Sequence, residues 1–262
     1  MAHLSRIPLA PLRDGTRKLL RSPQAMHAAV LGAVAYHPDA GRTLWRLDSD
    51  NRHRPYLYTV TQVAPDWTAL VEQAGWLVDE PNAKPVVADY GQLLAQLQPG
   101  QVYGFRLTAS PVQNSRTPQN PTKTQADRIA ATADAKTRSF RMGHRTAAHQ
   151  LTWFTDRVKG FGFELREVPA SAPAAPSILP LTTPAAEPEP TLDVRINARD
   201  RRQFTKTDTG SSTGNTTVTI TTATYEGTLT VTDPVALART LLTGIGPAKA
   251  YGCGLLTLAA AR

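Results

Sequence analysis

Apolar residues recur at every second position in several short segments and at a spacing of three to four in a few others. HLSRIPLAPL (3–12) reads as an opening strand and RDGTRKLLR (13–21) as a basic connection. SPQAMHAAVLGAVAYH (22–37) reads as a helix, with Ser22 as N-cap, Pro23 at the first helical position and Met26, Val30, Leu31 and Val34 at helical spacing. RTLWRLD (42–48) and PYLYTVTQV (55–63) alternate as a pair of strands, DWTALVEQAGW (66–76) begins a short helix, and QVYGFRLTASPV (101–112) closes this half with a strand. A polar stretch rich in Thr, Arg and Lys (113–140) follows.

The same order then returns. RMGHR starts a strand, TAAHQLTWFTDRVKG (146–160) forms a helix ended by Gly160, and FGFELREV (161–168), TLDVRINARDRRQFTKTD (191–208) and TTVTITTATYEGTLTVTD (216–233) read as strands. DPVALARTLL (233–242) is a helix opened by Asp233 and Pro234, and CGLLTLAA (253–260) is the last strand. Two successive βαββαβ units predict an α+β protein of tandem ferredoxin-like (RRM-like) domains. The expected limits are 1–113 for the first, 114–140 for a basic polar connection and 141–262 for the second. SAPAAPSILPLTTPAAEPEP (171–190) carries six prolines and reads as a solvated insertion, and TGSSTGNT (209–216) as a hairpin tip.

Charge narrows the partner. Lys and Arg number 29 against 21 Asp and Glu, a formal net charge of +8, which favours a polyanion such as nucleic acid. The single cysteine, Cys253, has no partner for an internal disulfide, and no apolar run of about 18 residues could span a bilayer. The first residues place apolar side chains before basic ones, the reverse of a secretory signal, so the expectation is a soluble cytoplasmic protein with no membrane partner.

GIGPAKAYGCGLLTLA (244–259) packs Gly244, Gly246, Gly252 and Gly254 around Lys249. A dinucleotide fingerprint would need glycine at Lys249, a P-loop would need Gly-Lys-Ser/Thr, and both motifs open a helix rather than a strand. Two readings remain: a loop whose backbone N–H groups and Lys249 hold phosphate, or a helix C-cap at Gly244 followed by a tight turn.

This segment resembles the C-terminal glycine-rich signature of the CasE (Cse3) family of CRISPR-associated endoribonucleases of type I-E systems. HLSRI, SPQAMHAAVLGAV, TLWRLD, YGFRLTASPV, AAHQLTWF and ATYEGTLTVTDP match in the family's order and extend the resemblance over nearly the whole chain. It implies a protein that binds the hairpin of CRISPR repeat RNA, cuts the precursor once at the stem base without a metal or other cofactor, and stays on the product with the other subunits of the Cascade complex.

Such cleavage uses the ribose 2′-OH as nucleophile and needs a base, an acid and cations near the phosphate. His27 occupies the position of the family's catalytic histidine. Family members often carry tyrosine three residues earlier, where this chain has Gln24, which orients or donates but shuttles no proton. Some have a lysine a turn later, where Gly32 stands nearby. These departures keep open a weakly active hairpin-binding assembly subunit. Arg17, Lys18, Arg21 and Lys249 are the cation candidates, and RINARDRRQFTK (195–206), with Arg201, Arg202 and Lys206, resembles the family's basic RNA-holding strand. Arg141 corresponds to the family's arginine before the second domain's first helix, with Lys136 and Arg138 upstream, and His144 and His149 lie near a basic stretch. Cys253 at the head of an apolar strand, KGFGF (159–163) and the four tryptophans read as core-forming.

Overall fold

The computed structural model describes residues 1–35, 37, 40–76, 82–116, 121, 123–131, 139–168, 191–206 and 216–261. The Pro-rich insertion, nearly all of the hairpin tip, Lys136, Arg138 and the side chain of Lys206 lie outside the described residues.

The first unit consists of β1 (His3–Pro8), α1 (Asp14–Arg21), α2 (Pro23–Gly32), β2 (Leu44–Asp48), β3 (Tyr56–Thr61), α3 (Thr68–Ala74) and β4 (Val86–Asp89). Its antiparallel sheet has the order β2-β3-β1-β4, the ferredoxin-like arrangement. Ser22 caps α2 as expected, its Oγ accepting from the Ala25 amide at 3.2 Å. RDGTRKLLR is not a connection but mostly α1. Leu19 is its buried anchor, and Thr16 Oγ1 donates to the Ala74 carbonyl at 2.9 Å, docking α1 on α3.

The short helix α4 (Tyr90–Ala95) leads to β5 (Val102–Ala109), the hairpin strands β6 (Val112–Ser115) and β7 (Phe140–Gly143) flank α5 (Lys123–Ala131), and α6 (Ala147–Thr155) follows. The chain continues through β8 (Phe163–Leu165), β9 (Glu167–Val168), β10 (Thr191–Leu192), β11 (Val194–Lys206), β12 (Thr216–Val231), α7 (Pro234–Thr243) and β13 (Leu256–Ala260). The second sheet runs β11-β12-β5-β13, with β8 also on β12.

Two strand expectations are therefore corrected. Residues 101–112 do not close the first sheet: β5 is central in the second, with Leu107 opposite both Tyr225 and Leu256, and β4 takes the edge of the first, beside β1. RMGHR likewise does not open the second sheet, because β7 pairs with β6 in a hairpin. The second βαββαβ unit is β5, α6, β8 with β11, β12, α7 and β13. In QVYGFRLTASPV, Phe105, Leu107 and Ala109 need burial on one face, and the second sheet supplies it. The α6 helix ends at Thr155, and Gly162 rather than Gly160 takes the left-handed turn (φ 82°) into β8.

The first sheet is covered on both faces. Ile7, Trp45 and Leu57 pack with Leu19, Met26, Val30 and Leu70 of the helices. On the other face, Leu44 and Val60 join the core of the second unit, with Phe105, Trp153, Phe154 and Tyr225. Consecutive residues of β2 thus enter different cores, as strand alternation requires.

Candidate nucleic-acid interface

His27 lies on α2, one turn beyond Pro23 and on the same face. It is half-buried, its Nδ1 has no hydrogen-bond partner within the protein, and burial lowers its pKa from the usual 6.5. The imidazole is therefore largely neutral at pH 7 and able to accept a proton. Gln24, three residues earlier and half-buried, shares that side of the helix.

Pro23 opens onto a cleft of about 370 Å³ between the units. Arg21 and Leu47 line it from the first unit, and Asp200, Arg202 and Phe204 from the second. Of the α1 cations only Arg21 is among its lining residues. Arg17 donates to the Leu12 carbonyl at 2.7 Å and lies 3.5 Å from Asp14, and Lys18 is exposed on the same helix.

The expected Arg201–Arg202 pair divides, because successive residues of a strand point to opposite faces. Arg202 faces the cleft and its Nε donates to Asp200 at 2.8 Å. Arg201 lies with Arg199 on the other face, where Arg199 donates to Gln150 Oε1 at 2.8 Å and also to the Arg145 carbonyl. Arg141 is exposed on β7, opposite Asn114. The His144 and His149 rings lie 6.0 Å apart and tilted by 41°, and burial, with His149 and Arg157 nearby, lowers the pKa of His144.

The glycine turn is better explained by packing than by a phosphate cradle. Gly244, Gly246, Gly252 and Gly254 all have positive φ, 74 to 93°. A Cβ at Gly252 would lie 2.6 Å from the Trp45 ring, one at Gly246 3.0 Å from Trp153, and one at Gly244 2.9 Å from Leu44. The Gly244 amide donates to Thr240 and the Gly254 amide to Thr108, at 2.8 and 2.7 Å, so neither is free for an anion. Gly252 and Gly254 are moreover buried.

Lys249 opens the short 3₁₀ turn Lys249–Tyr251, which packs on α2 and β2. Its ammonium is partly buried, and that burial, with Arg42 nearby, lowers its pKa from the ordinary lysine value. Among the described residues no carboxylate pairs with it. The Tyr251 ring meets Phe204 of the cleft at 4.9 Å. Cys253 is fully buried, its thiol pushed up to about 12 by desolvation, which suits a structural role.

Sequence reasoning missed the polar seam between the units. Arg106 on β5 pairs with Asp50 (Nη2 to Oδ1, 2.7 Å), approaches Asp48 at 3.6 Å and Glu226 at 3.3 Å, and Glu226 also meets Arg195. The Arg106 hydrogen bond holds the Asp50 carboxyl below its usual range. Arginines inside the apolar strands TLWRLD and YGFRL were the available signal, since a guanidinium at a core-facing position needs acceptors. Among the described residues no helix is long and apolar enough to cross a membrane.

Two ferredoxin-like units enclosing a cleft lined by Arg21 and Arg202, a half-buried histidine one helical turn from the cleft residue Pro23 and a net charge of +8 define a tandem α+β protein built to hold a polyanion. The chain belongs to a family of CRISPR-associated proteins, whose model ("CRISPR associated protein") matches residues 2–260. It is 28% identical, over 98% of its length and 99% of the other's, to the CRISPR-associated endoribonuclease Cse3 of Thermus thermophilus. The structure of Thermus thermophilus Cse3 bound to an RNA representing a pre-cleavage complex aligns over 98% of both chains, with 26% identity and a TM-score of 0.64. Cas6e of Escherichia coli K-12, at 20% identity, a TM-score of 0.53 and full coverage of both chains, shares the fold.

Proposed function

We propose that the protein is a CRISPR endoribonuclease that binds the stem-loop of CRISPR repeat RNA, cuts the precursor at the base of the stem and retains the mature product as a subunit of the cytoplasmic Cascade complex. The full-length likeness to Cse3, a relative whose structure holds RNA, carries this reading. The cleft lined by Arg21 and Arg202, with His27 one turn of α2 beyond its residue Pro23, supports it.

Cleavage proceeds without a metal ion. His27 removes the proton of the ribose 2′-OH, the 2′ oxygen attacks the adjacent phosphorus, and the bond from phosphorus to the 5′ oxygen breaks. The leaving oxygen takes up a proton, giving a 2′,3′-cyclic phosphate and a 5′-OH. Cations beside the phosphate balance the charge that builds on its non-bridging oxygens, a role for Arg21 and Arg202 of the cleft and for Lys249 of the turn packed on α2. Gln24 supplies no proton in this scheme; it hydrogen-bonds the substrate.

The test is incubation with repeat RNA in EDTA, beside the same RNA carrying a 2′-deoxy substitution at the scissile nucleotide. Cutting of the first alone is expected. No cutting of any repeat RNA, with tight hairpin binding retained, favours instead a binding subunit without turnover, the reading that Gln24 and Gly32 keep in play.

A further inference from the structure

Arg46, in the strand TLWRLD, takes no direct step in the cleavage scheme above, and its side chain is only 2% exposed. Its Nε and Nη2 donate to the two carboxylate oxygens of Asp48, at 2.7 and 2.9 Å. Its Nη1 reaches across to the second unit: the Arg106 carbonyl at 2.8 Å, the Leu255 carbonyl at 3.1 Å and Thr257 Oγ1 at 2.9 Å. The guanidinium also lies over the Tyr58 ring, 5.3 Å from its centroid. A buried cation costs free energy unless its charge and donors are met, and here one carboxylate meets the charge while the other unit supplies the acceptors for Nη1.

Two of these acceptors sit at the exit of the glycine turn, and the third, the Arg106 carbonyl, is on the neighbouring strand β5. Leu255 follows Gly254, and Thr257 belongs to β13. One residue before Arg46, the Trp45 ring lies against Gly252 and joins the apolar cluster of Met26 and Val30 on α2. Through β2, then, the turn that carries Lys249 is fixed relative to the helix that carries His27.

We infer that Arg46 is a positioning residue for RNA cleavage: it fastens the glycine turn and β13 of the second unit to β2 of the first, and so sets where RNA held by the second unit meets His27. This rests on the nuclease reading above. A planar fork spans carboxylate and carbonyls at once, as a lysine ammonium does not.

The test compares Arg46→Met, Arg46→Lys and the milder Thr257→Val with the parent chain in three measurements. These are affinity for the repeat hairpin, single-turnover cleavage at saturating protein, and the distance between spin labels at Ala69→Cys on α3 and Glu164→Cys on β8, both exposed. Cys253 is buried and takes no label. For Arg46→Met the expectation is affinity within about threefold, a saturated rate lower by about tenfold or more, and a broader distance distribution. Thr257→Val shifts the same way by less, and Arg46→Lys recovers part of the loss. An unchanged saturated rate and distance distribution in folded Arg46→Met overturns the inference, as does a parallel fall of affinity and rate. If Arg46→Met fails to fold, Arg46→Lys and Thr257→Val decide on the same split. If the parent chain cuts no repeat RNA, the nuclease reading fails, while the label distances still show whether Arg46 joins the units.

Discussion

A neutral histidine one helical turn from a cleft lined by two arginines has two measurable signatures. His27→Ala lowers single-turnover cleavage by about 10²- to 10⁴-fold, the usual worth of a positioned general base, while hairpin affinity stays within a few-fold. Equal cutting by parent and variant removes His27 from the chemistry. The pH profile carries the second signature. Burial lowers the folded pKa of His27 below 6.5, so the unfolded chain binds the proton more readily, and stability rises with pH across the window between those two values. Acidification from pH 7 into that window therefore destabilises the parent chain more than His27→Gln, and paired thermal melts at pH 7 and 5 check it. For a base the rate falls on the same side, with its acid limb below pH 6.5.

At the scale of elements, the glycine turn and the helix before the cleft give opposite answers to the same substitution. Gly252→Ala forces a side chain into left-handed backbone and against the Trp45 ring, costing about 2–3 kcal/mol and lowering the melting temperature by about 6 °C. Gly32, at the end of α2, has nothing within 4 Å of its Cβ position and an ordinary φ, so Gly32→Ala is neutral or raises stability by up to about 1 kcal/mol. Calorimetry of the two variants separates a turn needed for packing from one that only approaches a ligand. The same contrast marks what was legible in the sequence. The Ser22 cap, the Asp233 cap, whose Oδ1 accepts from Val235 and Ala236, and the alternation of β2, β3 and β12 were readable because local signals decide them. The exchange of β4 and β5 was not, because all four residues of β4 are exposed and leave no apolar period, while the pattern of β5 satisfies either sheet. In α1 the apolar face is sharply set off but rests on Leu19 and Leu20 alone, over eight residues, so the basic side chains around them mask it. His27 and the arginines were found as candidates, whereas the glycines' true neighbours, Leu44, Trp45 and Trp153, come from elements far along the chain.

Across the whole molecule, the basic side chains gathered on β11 divide between its two faces, and only one of these closes the cleft. RNA binding that neutralises phosphates releases counterions, so the logarithm of affinity falls linearly with the logarithm of salt concentration, and each phosphate contact removed flattens the slope by about one. Arg202 faces the cleft together with Arg21, whereas Arg201 lies on the side of Arg199 and α6. Arg202→Ala is accordingly expected to weaken hairpin binding and reduce the salt slope by about one, and Arg201→Ala to do less of both. Asp200 adds a further expectation. It holds the Arg202 guanidinium at 2.8 Å in the free protein, and it is an anion in a cleft meant for one. Asp200→Asn releases Arg202 and removes the like-charge repulsion, so affinity at low salt rises, and the gain disappears in the Arg202→Ala background if the two act through one another. Filter-binding or anisotropy titrations of one repeat hairpin between about 50 and 200 mM salt, the range over which such affinities change most visibly, measure all four variants. A larger loss in Arg201→Ala than in Arg202→Ala would place the RNA on the α6 face of β11 and away from His27.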